Sequence, residues 1–402
     1  MHILLITDSY PPEIRSASHL MQELAESLLE RRHKVSIVTC FPKYNLISNR
    51  KNSFRKLTIK DNITILRLKT LPHHKVNFIV RGLSQLTLPY IFLWNIKKYI
   101  TQKIDVVIVY SPPLPLAIVG NKIKKLHGAE YILNVQDIFP QNAIDLGILR
   151  NKLLIKFFEI LEKNSYKCAD KIVVHSKGNK NFLIKKKDIP EDRVHIIHNW
   201  IDISPYINLQ RTGELRKKYD IEDKFIFLFA GIIGPSQGLD LIINIAYKIK
   251  EISDICFLFI GDGTEKEKLI KKAKCFGLNN ILFKTFISKE DYPKLLKNVD
   301  IGMACLTSKN KTPVVPGKIL GYMAAGIPVA AFLNRESDGH TIIKEAACGY
   351  TADSDNEAKV LEIILQIYNE RNRLKQYGEN GFKYISANFE KNICIDQLEK
   401  LF

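Results

Sequence analysis

At 402 residues, with 46% hydrophobic and 25% charged side chains, the chain can bury a large core, which excludes a disordered polypeptide and favours two domains. The net charge of +18 is concentrated in residues 1–200, where 32 Lys and Arg face 16 Asp and Glu and leave +16, so that half calls for an anionic partner. Seven scattered cysteines without Cys-x2-Cys spacing exclude a zinc or disulfide framework, and no uncharged apolar run of about 18 residues marks a transmembrane helix.

The N-terminus, Met1 to Asp8, lacks the basic start of a signal peptide and reads as a first buried strand, so a cytoplasmic protein is expected. Apolar runs then predict strands at Ile3–Thr7, Val35–Thr39, Ile63–Arg67, Val106–Tyr110, Tyr131–Val135, Lys171–His175 and Val194–Ile197. Helical periodicity falls between them, at Ala17–Arg31 and Asn151–Lys167. The segment Leu71–Lys103 mixes Arg81, Phe92, Leu93, Trp94, Lys97 and Lys98, and reads as an interfacial amphipathic helix pair; Phe92, Leu93 and Trp94 also read as core of an ordinary helix, and both hold if one face packs while another meets lipid. On the first reading Arg81, Trp94, Lys97 and Lys98 face an anionic membrane or the acceptor. No helix-turn-helix, zinc finger or RNP motif accompanies the charge, so nucleic acid is not expected.

Asn199–Lys218 breaks the pattern and reads as a linker, dividing residues 1–200 from 201–384. Strands recur at Phe225–Ala230, Cys256–Ile260, Ile281–Lys284, Ile301–Met303 and Val329–Phe332, a doubly wound α/β scheme repeated. A last helical stretch, 385–402, is expected to pack back on the first domain.

Three turns of the second half carry the chemistry. Gly231, Gly234, Gln237 and Gly238 follow one strand, and Gly261, Asp262 and Gly263 follow the next. Strand, tight turn and helix is the layout that binds phosphate, with Asp262 in reach of a ribose hydroxyl. Pro316-Gly317-Lys318 opens a short helix: proline loses nothing at a helix start, glycine admits close approach, first-turn amides face outward, and Lys318 adds a full charge. Each turn also reads as ordinary strand punctuation.

The ordered motifs Asp8-Ser9-Tyr10-Pro11-Pro12-Glu13, Val135-Gln136-Asp137, Asn199-Trp200-Ile201-Asp202, Gly231-x2-Gly234-x2-Gln237-Gly238, Gly261-Asp262-Gly263 and Pro316-Gly317-Lys318 to Val329 resemble glycosyltransferase family 4 over nearly the whole chain. The resemblance is to the subgroup that builds bacterial O-antigens, capsules and exopolysaccharides, including fucosamine transferases. It implies the GT-B fold, two Rossmann-like doubly wound domains facing a cleft, with an acceptor-binding first domain and a nucleotide-sugar-binding second one.

The implied reaction is retaining transfer of a hexosamine-type sugar from a nucleotide diphosphate donor, most often UDP-linked, to a polyprenyl diphosphate-linked saccharide. The expected site is peripheral, on the inner face of the plasma membrane. Catalytic roles fall to Lys318, Glu13, Arg15 and Asp137; the donor would meet the three turns together with Tyr322 and, near Thr285-Phe286-Ile287, backbone groups around Phe286. Asp137 also reads as a helix cap and Arg15 as the partner of a local carboxylate, while His19, His73 and His74 stay unassigned.

No cofactor and no metal are expected. The family's Glu-x7-Glu pair is replaced by Pro313 and Gly321, its Arg and Lys by Ile232 and Gln237, and its histidine by Gln136, so Lys318 would have to supply the missing phosphate-neutralising charge. A sugar-nucleotide 2-epimerase of the same architecture is the alternative, and the basic first half argues against it.

Overall fold

Runs of aliphatic and aromatic residues buried on both faces build two parallel sheets, as covered α/β sheets require. The computed structural model describes residues 1–13, 15–43, 54–72, 76, 78–288 and 290–402, with backbone alone at 78 and 79. They form two units, Met1–Asn199 with Cys394–Phe402, and Trp200–Ile393.

The first unit's strands are β1 (His2–Ile6), β2 (Lys34–Cys40), β3 (Leu57–Lys60), β4 (Ile63–Leu68), β5 (Val106–Ser111), β6 (Glu130–Val135), β7 (Lys171–Val174) and β8 (Val194–Ile196). They lie in the order β3-β4-β2-β1-β5-β6-β7-β8, parallel except for the β3–β4 pair. Its helices are α1 (Ser16–Glu30), α2 (Phe78–Tyr99), α3 (Ala117–His127), α4 (Gln141–Asp145), α5 (Lys152–Cys168) and α6 (Lys177–Lys187). Leu88, Phe92 and Ile96 of α2 recur every fourth residue and enter one core with Val119 and Ile123 of α3, Tyr166 of α5 and Leu183 of α6. Among the described residues the segment read as a helix pair holds one helix, whose central apolar residues pack on the sheet; Trp94, on the opposite side, stays 64% exposed.

The second unit holds β9 (Phe225–Ala230), β10 (Ile255–Ile260), β11 (Ile281–Lys284), β12 (Ile301–Cys305), β13 (Val329–Leu333) and β14 (Gly349–Asp353), ordered β11-β10-β9-β12-β13-β14 and all parallel. Alternate side chains serve opposite cores: Phe227, Phe229, Phe257 and Phe259 on one face, Ile226, Leu228, Leu258 and Ile260 on the other. Its helices are α7 (Glu214–Lys218), α8 (Asp240–Lys248), α9 (Lys266–Cys275), α10 (Tyr292–Lys297), α11 (Gly317–Ala324), α12 (Gly339–Ala346), α13 (Glu357–Asn369) and α14 (Leu374–Asn388), and α15 (Lys391–Glu399) begins in this unit and continues in the first.

Two segments differ from the sequence expectation. Part of the presumed linker is structure, because Tyr206 is buried in the second unit's core and α7 forms beyond it. The C-terminal stretch is two helices: Ile385 and Phe389 belong to the second unit's core, and return to the first unit begins only at Cys394. There Glu399 meets His33 at 2.8 Å and Arg31 at 3.2 Å, while Cys394, Ile395 and Leu398 are buried.

Candidate functional site

In the second unit the strand order reverses between β9 and β12, the point where open α/β sheets bind ligands outside the carboxyl ends of the strands. Lys318, in the first turn of α11, projects to that point. Its ammonium donates to Gln237 Oε1 at 2.7 Å and lies 4.4 Å from the centroid of the Phe229 ring, at the end of β9. Burial lowers its pKa to about 8, with the nearby Cys305 thiol the smaller, opposing influence. The structure thus brings together Lys318 and Gln237, two residues of the expected donor site.

Around them the backbone is open. No side chain caps α11, whose N-cap is Pro316, and a Cβ built on Gly317 would meet nothing within 4 Å. The chain entering this turn is fixed from behind. Ser337 donates to the Val314 carbonyl, Asn334 to the Thr312 carbonyl at 3.3 Å, and Thr312 to Asn310 Oδ1 at 2.9 Å. This buried brace was missed in the sequence, because its members are spread over two loops with no shared spacing.

The glycine turns have a more local explanation than ligand approach. A Cβ on Gly261 would stand 1.8 Å from the Gly231 carbonyl oxygen, and one on Gly263 2.2 Å from that of Ile233. The two loops are pressed together, joined by the Ile233 amide donating to the Asp262 carbonyl at 2.9 Å. Gly234 leads into the short 3-10 turn Pro235–Gln237, and Gly238 closes it against the backbone of Thr307. The exposed Asp262 carboxylate accepts from the Gly263 amide at 2.9 Å.

Of the other residues expected at the donor, Tyr322 is turned away from it. Tyr322 is fully buried: its hydroxyl donates to the Met303 carbonyl at 3.1 Å and accepts from the Ala230 amide at 3.3 Å, so it ties β9 to β12 and cannot touch a ligand. A helix residue four positions after Lys318 turns inward, where Gly302 leaves room for its ring. Phe286, 49% exposed, lines a cavity of about 410 Å³ with Tyr219, Thr285, Ile287 and Asn298, and none of the Lys318 cradle residues lines it.

In the first unit the order reverses at β1, and charges gather beyond its end. Arg15 Nη1 lies 3.5 Å from Asp8 Oδ2, the local ion pair. Glu13 is buried and accepts from the Ser9 hydroxyl and the Lys43 amide, both at 2.9 Å. Its carboxylate holds the loop through these two bonds, a local role beside the catalytic one expected of it. Asp137, just after β6, lines a pocket of about 150 Å³ with Arg81, Gln85, Asn142 and Phe158. Desolvation raises the Asp137 carboxyl pKa, opposed by Arg81, and lowers that of Arg81, opposed by Asp8 and Asp137. Gln136 is locked in an amide pair with Asn199, at 2.9 and 3.1 Å.

Arg81 therefore belongs with Asp8, Arg15 and Asp137, a grouping that no sequence spacing announces. Trp94 is 13 residues along the same helix, about 20 Å away along its axis at 1.5 Å per residue. It stands with Lys98 at 5.6 Å and Lys56 at 5.7 Å over its ring, so the four residues read as one membrane or acceptor surface divide into a pocket and a separate aromatic-basic cluster that the exposed Lys97 adjoins. His73 and His74 lie outside the described residues; His19 is on α1.

Two parallel α/β units, one bearing a lysine-armed helix start at its switch point, define the class: a glycosyltransferase of the GT-B fold. Residues 17–205 match the Glycosyltransferase Family 4 model and 212–384 that of Glycosyl transferases group 1, and the chain belongs to this family. Among curated proteins it is 24% identical to the "Putative colanic acid biosynthesis glycosyl transferase WcaI" of Escherichia coli (strain K12), over 81% of this chain and 82% of that protein. Among solved structures, sucrose-phosphate synthase from Thermosynechococcus elongatus superposes with a TM-score of 0.78 at 12% identity, covering 100% of this chain and 98% of that one. Anabaena Alr3699/HepE in complex with UDP superposes with a TM-score of 0.74 at 15% identity, covering 100% and 99%. At such identities the likeness to solved structures shows the fold.

Proposed function

We propose that this glycosyltransferase moves an N-acetylated or deoxy hexosamine from a nucleoside diphosphate donor to a lipid-linked saccharide during assembly of a surface polysaccharide such as O-antigen or capsule. The observation that carries the reading is the Lys318 cradle: a helix start without a side-chain cap, open space at Gly317, and an ammonium fixed by Gln237. Support for the donor comes from HepE, solved with UDP and with UDP-glucose, and for the pathway from the colanic acid name of the Escherichia coli relative.

In the proposed step an acceptor hydroxyl oxygen forms a bond to the anomeric carbon as the bond from that carbon to the diphosphate breaks. The hydroxyl proton passes to the departing diphosphate on the same face, so the configuration is retained. Amides of the first turn of α11 and the Lys318 ammonium stabilise the charge that develops on the leaving group. The Asp262 turn would take the ribose, and backbone near Phe286 the base. Arg81, with Asp137 and the Arg15–Asp8 pair, offers the first unit's polar pocket to the acceptor, where Arg81 suits an acceptor phosphate. Trp94, Lys97 and Lys98 would meet anionic lipid, placing the protein on the inner face of the plasma membrane. The reading assigns no step to a metal. The epimerase alternative draws no support from these relatives.

The reading is tested by incubating the protein with a panel of nucleotide sugars and a short polyprenyl diphosphate-linked sugar, with products followed by mass spectrometry. One donor should yield a glycosylated lipid, and Lys318→Ala should slow that transfer by roughly two to three orders of magnitude with folding intact. Transfer by Lys318→Ala at the wild-type rate would remove the cradle from the mechanism.

A further inference from the structure

Helix α5 is seated through one face only. Phe158, Glu162, Ser165 and Tyr166 are buried beneath it, Tyr166 in the main core and Glu162 bonded to Lys187 at 2.7 Å. The opposite face carries Leu153, Phe157 and Ile160, spaced at i, i+4 and i+7 and thus in one row, and these are 80%, 44% and 53% exposed. A single exposed leucine means nothing, whereas a contiguous apolar ridge on an otherwise polar surface marks a contact surface.

Beside the ridge runs a second row. Lys152, Lys156, Lys163 and Lys167 share a helix face at intervals of four and seven, and all four are exposed. Among the described residues no ion pair engages them. Lysines flanking Leu and Phe on a surface helix are the composition of an element that lies in a lipid interface. Protein interfaces, by contrast, are depleted in lysine, and two copies meeting through this face would bring together rows of like charge on units that each carry +16 over residues 1–200.

The helix also adjoins the acceptor-side pocket. Phe158 on its buried face lines that pocket with Arg81 and Asp137, and its ring lies 3.9 Å from the Cβ position of Gly82 on α2. We propose that α5 is a bilayer-docking helix: Leu153, Phe157 and Ile160 enter the headgroup layer of an anionic membrane, the lysine row binds its phosphates, and the Arg81–Asp137 pocket is thereby held at the lipid surface. This deepens the transferase reading and rests on it for its purpose. Docking can be measured without donor or turnover, so the two fail separately.

The test is co-sedimentation of the full chain with vesicles of phosphatidylglycerol and phosphatidylcholine, against vesicles of phosphatidylcholine alone. The triple variant Leu153→Ser, Phe157→Ser and Ile160→Ser should bind the anionic vesicles at least tenfold more weakly while retaining its melting temperature and its activity on a water-soluble acceptor. In the otherwise native chain, Phe157→Trp should show a blue shift of indole emission when anionic vesicles are added. Lys152→Gln with Lys156→Gln and Lys163→Gln should weaken the preference for anionic over neutral vesicles, which Lys97 and Lys98 would still support. Unchanged sedimentation of the serine variant, or unshifted emission from Phe157→Trp, would overturn the proposal. So would a serine variant whose only change is dissociation of an oligomer, since the ridge would then be a protein contact.

Discussion

In the proposed mechanism the chemistry turns on Lys318 and Gln237, and neither is explained by the other's sequence position. The two are 81 residues apart, yet 2.7 Å separates the ammonium from the amide oxygen. With a pKa lowered to about 8 by burial, Lys318 is the cation in the cradle only below that pH. Affinity for a nucleoside diphosphate should therefore fall as pH rises from 7 through about 9, and binding near pH 8 should take up a proton, because the anion favours the charged amine. Calorimetry in buffers of different ionisation enthalpy reads both, and a pH-independent affinity across this range would contradict the assignment. For folding the sign is opposite: an unfolded lysine titrates near 10.4, so the unfolded chain holds more protons between about 8 and 10.4 and this group's contribution to stability rises with pH in that window. At this scale the sequence put Lys318 and Gln237 in separate turns of one donor site, and their direct bond is visible only in the fold. It misplaced Tyr322 and left the loop bonds of Glu13 unseen, since a residue's motif position does not reveal whether its helix face turns inward or its carboxylate is already bonded.

At the scale of elements, the strands with continuous apolar runs were legible and the weakly patterned ones were not. β3 is a short, largely exposed antiparallel edge and β14 an edge strand opening on Gly349 with polar neighbours, so neither shows the buried-strand signature. The glycine turns were legible as turns, but their cause was not: Gly261 and Gly263 are glycine because another loop's carbonyl occupies the space of a side chain. That distinction is measurable. Gly263→Ala would place a methyl group 2.2 Å from the Ile233 oxygen and should lower the melting temperature. Gly317→Ala, in open space within a helix, should leave stability unchanged or raise it by about 0.5–1 kcal/mol, while weakening nucleotide binding by crowding the first-turn amides. Equal effects of both on melting, with no change in binding for Gly317→Ala, would place the donor elsewhere.

Over the whole molecule, charge and chain path divide the labour. The basic first half was visible by counting, and the α5 ridge could have been found from its helical spacing, whereas the gathering of Arg81 with Asp137 from distant segments could not. The chain's end is part of the first unit, with Glu399 paired to Arg31 and His33 and with Leu398 buried. Deleting residues 394–402 should therefore destabilise that unit, seen as an earlier thermal transition, and leave the second unit's nucleotide affinity intact; a melting profile like that of the full chain would show these contacts to be dispensable.

The central claim is that a nucleoside diphosphate lies against the start of α11 under the Lys318 ammonium. Titration calorimetry of UDP and of uridine into the wild type and Lys318→Ala at pH 7 tests it most directly. Loss of one charge-assisted hydrogen bond, about 1.5–3 kcal/mol, should weaken UDP by roughly ten- to a hundredfold and leave uridine unaffected. UDP binding with the same affinity to both proteins would contradict the account.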